Sequence, residues 1–103
     1  MPDTLTHALF LPLLNQSFEV QVEEDILPCE LIKADVYPVR EKVDPATAGG
    51  RAPFSLVFRG PQDSPFPQNT YLVKHKAFTQ PLSIFLVPIG PDDQGPCYEA
   101  VFF

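Results

Sequence analysis

Tryptophan is absent, methionine occurs once, and the 103 residues include only two cysteines and five glycines. Basic residues are also scarce: seven Lys and Arg stand against thirteen Asp and Glu, for a formal net charge of −6. Each scarcity excludes something. An acidic chain repels phosphate backbones and anionic lipid, which sets nucleic acid and membrane surfaces aside as partners. No apolar run approaches the roughly 20 residues of a membrane-spanning helix. Cys29 and Cys97 lie far apart, outside any CxxC pair, and the two histidines complete no zinc-ligand spacing, so no metal is expected. They read as small apolar side chains in a reducing compartment, with a disulfide as the alternative. Neither GxxxxGK[ST] nor GxGxxG occurs, so no phosphate cradle and no cofactor is expected. The apolar patch Ala8–Leu14 has no Lys or Arg before it, contains Pro12, and runs into no small-residue cleavage site. It is not read as a secretory signal, and a cytoplasmic location is expected.

What the chain has instead is proline and phenylalanine, thirteen and nine, in a sequence that is 45% hydrophobic. That hydrophobic content supports a core, and the dispersed prolines punctuate short strands rather than form a linker. The length implies one domain, residues 1–103. Leu5–Leu14 is the one candidate helix, shortened or bent by Pro12 and expected to lie over the end of a sheet. Residues 17–23, SFEVQVE, alternate strictly and predict a half-buried antiparallel strand. Residues 27–37 predict a second strand, with Ile32, Ala34 and Val36 on one face. Polar, Gly- and Pro-containing residues 38–53 read as a long surface loop. Strands follow over 54–58, 70–75, 82–87 and 98–103, the fifth apolar on both faces and so expected to be covered on both. Phe66, between Pro65 and Pro67, is expected to dock its loop on the core. GPDDQGP, Gly90–Pro96, reads as a hairpin turn. The pattern predicts a mainly β fold, a small antiparallel barrel or sandwich of about six strands with a short N-terminal helix.

Charge is uneven along the chain. The first fifty residues carry nine acids and three bases, and the rest carry four of each. Among reactive groupings, GxSxG is missing. Ser55, His75 and Asp63 would form a triad only by arbitrary assembly. The adjacent acids Glu23-Glu24-Asp25 and Asp92-Asp93 are turn residues, not carboxylates facing one another across a cleft. Lys74, His75 and Lys76 form one small basic cluster, too slight to signal nucleic-acid binding. Arg51 beside Gly49-Gly50 reads as ordinary loop chemistry. The aromatic residues are more suggestive. Phe85 and the C-terminal Tyr98, Phe102 and Phe103 cannot all point into one core, so an outward ring is expected to be covered by the N-terminal helix, by a loop or by a partner.

Several strings are distinctive: ALFLPLLNQSFEV, RAPFSLVFRGP (51–61), PQNTYLVKH (67–75), IFLVPIGP (84–91) and YEAVFF at the C-terminus. Together they resemble a small bacterial family of unknown function with PFSLVFRGP, PQGTY, FLVPIGP and YEAVF patterns. The resemblance covers nearly the whole chain, least well over residues 39–50. The chain departs from it at Asn69, where the family prefers Gly, and at Phe103, where it prefers Asn. The resemblance implies no catalytic residue. It implies an accessory or assembly role, in some members beside phage-tail-like proteins.

The resulting expectation is a non-enzymatic protein-interaction or assembly module, binding a protein partner or itself through an apolar patch or a β-edge, with Phe85, Tyr98, Phe102 and Phe103 as interface candidates. The alternative is a small-molecule-binding or enzymatic barrel with the 38–53 loop as lid and Arg59, Tyr71 and His75 at its mouth.

Overall fold

The computed structural model describes residues 7–36 and 53–102. Six strands follow one short helical segment: β1 (Ser17–Val22), β2 (Asp25–Val36), β3 (Phe54–Arg59), β4 (Asn69–Lys74), β5 (Leu82–Pro91) and β6 (Pro96–Phe102). They form a closed barrel in the order β1-β2-β3-β6-β5-β4, every neighbouring pair antiparallel. Among the described strands closure leaves no free sheet edge.

Because the strands alternate in direction around the ring, the connections fall at two ends. The 23–24 turn, the 60–68 loop and the 92–95 turn share one end, here the upper. The helical segment and the β4–β5 connection, residues 75–81, share the lower. The alternation of β1 is realised as read, with Phe18 and Val20 buried and Glu19 and Gln21 exposed. In β2 the expected face is broken by a register shift between Leu31 and Lys33. Ahead of the bulge Cys29 and Leu31 are buried; behind it Ala34 is, opposite Leu56, while Val36, paired with Phe54, is exposed at the end of the strand. Ile32 falls at the bulge and leaves the face predicted for it, because one extra residue resets a period-2 pattern.

The strand covered on both faces is β3, not β5. Five of its six residues are buried. Its outward residues Ser55 and Val57 are small and lie between longer cross-strand neighbours: Asp35 and Val101 flank the first, Lys33 and Glu99 the second. On β5 the outward Phe85 is 51% exposed. The helical segment does not cover it, because it closes the lower end instead. It runs as α1 (His7–Phe10) and a 3₁₀ turn, Leu11–Leu13, that takes Pro12 in its first positions, where a missing N–H costs nothing. Asn15, at φ 70°, ends it; asparagine tolerates this left-handed conformation, and its N–H donates to the Leu31 carbonyl at 2.7 Å. The His7 imidazole bonds to the Ala34 carbonyl through Nε2 at 3.0 Å, tying the segment to β2.

An aromatic side chain plugs each end. Phe10, fully buried, enters from below among Phe18, Phe54, Phe78 and Phe102, with ring centroids 5.6–6.5 Å away. From above, the 60–68 loop crosses the barrel and inserts Phe66, which stacks on Tyr98 at 3.9 Å and meets Tyr71 edge-on at 4.9 Å. One hydrophobic cluster fills the space between. Each of its large side chains contributes about 1.5–3 kcal/mol by leaving water. Among the described residues no buried side-chain nitrogen or oxygen lacks a hydrogen-bond partner, and no helix is long and apolar enough to cross a membrane.

Candidate functional site

The barrel closes through its shortest seam. β1 and β4 pair at only three positions, Glu19–Lys74, Val20–Val73 and Gln21–Leu72. Beyond each end of that ladder the two strands part, and a cleft opens. The lower cleft, about 850 Å³, lies between Gln16, Ser17 and Glu19 on one side and Lys74–Lys76 with Phe78–Pro81 on the other. The upper, about 300 Å³, lies between Gln21–Glu23 and Pro67 with Asn69–Leu72.

His75 is the wall of the lower cleft whose chemistry is best defined. Its ring packs 4.5 Å from Phe18. The Ala77 N–H donates to Nδ1 at 2.9 Å, so Nδ1 carries no proton. Nε2 must then carry it, and donates to Gln16 Oε1 at 2.9 Å. The imidazole is thus held neutral in one tautomer. Burial lowers its pKa below the ordinary value, and the neighbouring Lys76 ammonium lowers it further. With both nitrogens engaged, His75 has no free position for a metal or for a proton in transit. Lys74 and Lys76 are exposed and make no ion pair with the described residues, even though Lys74 lies across from Glu19.

The three residues expected at one mouth are not together. Arg59 sits at the upper end. Its Nε donates to Asp92 Oδ2 at 2.8 Å, Nη2 reaches the same oxygen, and Nη1 lies 3.6 Å from Glu30. Asp92 Oδ1 accepts from the Gln94 and Gly95 N–H groups at 2.8 and 3.0 Å. Arg59 and these amides hold the Asp92 carboxyl down at about 2. Every acceptor position on Asp92 is used, so the group clamps the β5–β6 turn. Gly95 completes it, because a side chain there would meet the Gly60 carbonyl oxygen at 2.7 Å. Tyr71 is a buried wall residue whose hydroxyl donates to the Pro67 carbonyl. His75 lies at the lower end, away from both. The arbitrary triad is divided in the same way, with Asp63 in the upper loop and His75 below.

The interface candidates also separate. Phe85 is exposed. Tyr98 is a core residue, 1% exposed, and its hydroxyl oxygen accepts the Phe66 N–H at 2.9 Å. Phe102 is half-buried and stacks on Phe54 at 4.7 Å. Phe103, the 38–52 part of the proposed lid, and Arg51 lie outside the described residues. The sequence reading missed Leu72 and Val101, which are 44% and 38% exposed. The available signal was their position in alternating strands, between the inward pairs Tyr71/Val73 and Ala100/Phe102. Cys29 and Cys97 are both free, and burial pushes the Cys29 thiol up to about 12, as expected for an inert apolar filler. Among the described residues no group of acids, histidines or cysteines could hold a metal ion.

With the site in view, comparison with known proteins adds the family. The model of a domain of unknown function, DUF6916, matches residues 5–102. The chain belongs to that family. No curated protein and no solved structure matches it. For this DUF6916 member the geometry is therefore the main guide to function: a barrel plugged at both ends, two open clefts along one seam, and an apolar outer surface on β4, β5 and β6.

Proposed function

We propose that this DUF6916 domain is a non-enzymatic protein-interaction module that works through its outer surface. The observation that carries this reading is the double plug. Phe10 and Phe66 fill the two ends of the barrel, which leaves its interior to side chains rather than to a ligand. The outer surface offers a contact in its place. Phe85 is flanked on β4 by Leu72, diagonal to it across the Thr70–Phe85 and Leu72–Ser83 pairs. On β6, Val101 lies two residues beyond Glu99, the partner of Val87 on β5. These side chains share the outward face, and exposed apolar groups in such a row favour a protein partner. An accessory role beside a phage-tail-like assembly, implied by the resemblance, is the finer form of this proposal.

Affinity capture from the native host, comparing the wild-type chain with Phe85→Glu, tests it. The expected result is one stoichiometric protein retained by the wild type and lost by the variant, with both chains equally folded by circular dichroism. Capture that is unchanged by Phe85→Glu overturns the assignment of this surface. A small molecule retained by the wild-type barrel through purification overturns the interaction reading itself.

A further inference from the structure

The fold sorts charge by end rather than by half of the chain. Six carboxylates, Glu23, Glu24, Asp25, Asp63, Asp92 and Asp93, lie on the upper connections or at their borders, with Arg59 as the one cation beside them among the described residues. Arg59 is spent on Asp92 and Glu30, and Lys33 is spent on Asp35. Among the described residues, the cations left without an ion pair are Lys74 and Lys76, and both border the lower cleft. The molecule thus carries a free acidic tip at one end and a free basic cleft at the other.

We propose that the lower cleft receives the β1–β2 hairpin tip of a second copy of this chain, Glu23-Glu24-Asp25 docking between Lys74 and Lys76. This rests on reading the chain as an interaction module, but it uses a different surface from the Phe85 row. The tip suits the cleft in shape and in charge. Val22 and Asp25 are directly paired, so the connection is a two-residue turn, the narrowest projection a hairpin offers. All three tip acids are exposed. Glu23 stands at φ 56°, a conformation that glycine adopts far more readily, and it presents a carboxylate there. The cleft carries one opposing charge, Glu19, which faces Lys74 across the seam, and His75 stays neutral in its wall. Because tip and cleft are different surfaces at opposite ends, the contact is heterologous: each pair of copies keeps one tip and one cleft free, and the assembly grows head to tail. The net charge of −6 opposes association at long range. Salt near 0.1 M screens that repulsion beyond about 10 Å and leaves the close pairs; salt near 1 M, with a Debye length of about 3 Å, removes them too.

Light scattering tests the contact with three samples. The wild-type chain in 0.1 M salt is expected to show a weight-average mass that climbs with concentration to more than twice the 11.5 kDa of the monomer, and to return to 11.5 kDa in 1 M salt. The double variant Lys74→Gln/Lys76→Gln loses the charge of the cleft but keeps the tip, and Glu23→Gln/Glu24→Gln loses most of the charge of the tip but keeps the cleft. Each alone is expected to remain monomeric, while a one-to-one mixture forms dimers that cannot extend. These side chains are exposed, and matching melting curves establish that the variants fold. A monomeric wild type at every concentration, or association that both variants retain, overturns the head-to-tail contact. Loss of Phe85-dependent capture is a separate outcome, so failure of this inference and failure of the interaction reading are told apart.

Discussion

At the scale of single residues, chemistry was legible in the sequence where one side chain decides it and hidden where a long-range partner does. Cys29 and Cys97 behave as the small apolar residues they were read to be. Phe66 docks its loop, since an aromatic ring held between prolines has little to do but pack. Arg59 and Tyr98 were misplaced for a common reason: their partners, Asp92 and the Phe66 backbone, are 33 and 32 residues away along the chain, and no local pattern announces them. His75 is the residue whose environment makes a pH-dependent claim. Its folded pKa lies below the ordinary value, because burial and Lys76 disfavour the charged ring. A group with a depressed folded pKa contributes stability that is present above its unfolded value, about 6.5 for histidine, and is lost as pH falls through the folded one. Protonation places a hydrogen on Nδ1 and breaks the bond from the Ala77 N–H. The melting temperature is therefore expected to fall as the pH drops below about 6.5 in the wild type, and to change less in His75→Asn, whose amide does not titrate there. Thermal melts of both proteins across this range check it. Equal slopes would show that His75 does not carry the acid sensitivity.

At the scale of elements, all six strands were visible as alternation or as short apolar runs bounded by turn residues, and the helix as an apolar stretch interrupted by Pro12. Two things were not visible. The bulge after Leu31 hides because one inserted residue leaves composition untouched while moving Ile32 off its face. The coverage of β3 rather than β5 hides because burial of an outward face depends on which strands stand beside it. Ser55 is buried through its neighbours Asp35 and Val101, whereas Phe85 has no such cover among the described residues. The helical segment shows how an element far too short to persist alone is held by packing. Much of its stability comes from Phe10, which is fully buried with four other phenylalanine rings around it. Replacing Phe10 by Ala removes the plug as well as the ring, and is expected to cost about 3–5 kcal/mol, the range for truncating a buried aromatic. The cavity left is apolar, so it should stay dry and take up xenon or benzene. Chemical denaturation checks the first expectation. Benzene-dependent restabilisation of Phe10→Ala, absent in the wild type, checks the second. A loss below about 1 kcal/mol would show that the segment is not what closes the barrel.

At the scale of the whole molecule, the order of strands in the ring is what the sequence concealed and what function depends on. Neither hydrophobic period nor turn chemistry says that β3 pairs with β6 or that β1 meets β4, yet that order places both clefts on one seam and gathers the carboxylates at one end. Closure abolishes edges, but the seam is unequal to the other five contacts. β3 is joined to β6 at six positions and to β2 at six, while β1 is joined to β4 at three. Each lost ladder position removes hydrogen bonds and the cross-strand side-chain contact that accompanies them, each pair worth roughly 0.2–1 kcal/mol. Both clefts let water reach the ends of the short ladder. Local opening of the barrel should therefore begin at this seam. Native-state hydrogen exchange is expected to rank those amides of Glu19–Gln21 and Leu72–Lys74 that bond across the seam as the least protected of the ladder amides, with β3 and β6 exchanging only by global unfolding. The ordering follows from topology, so it should hold in Phe85→Glu, which changes the outer surface and no ladder. A seam that exchanges as slowly as the β3–β6 ladder would mean that the three pairs are reinforced by packing from within, most directly by Val20 against Val73, and Val73→Ala would then be the variant that releases it.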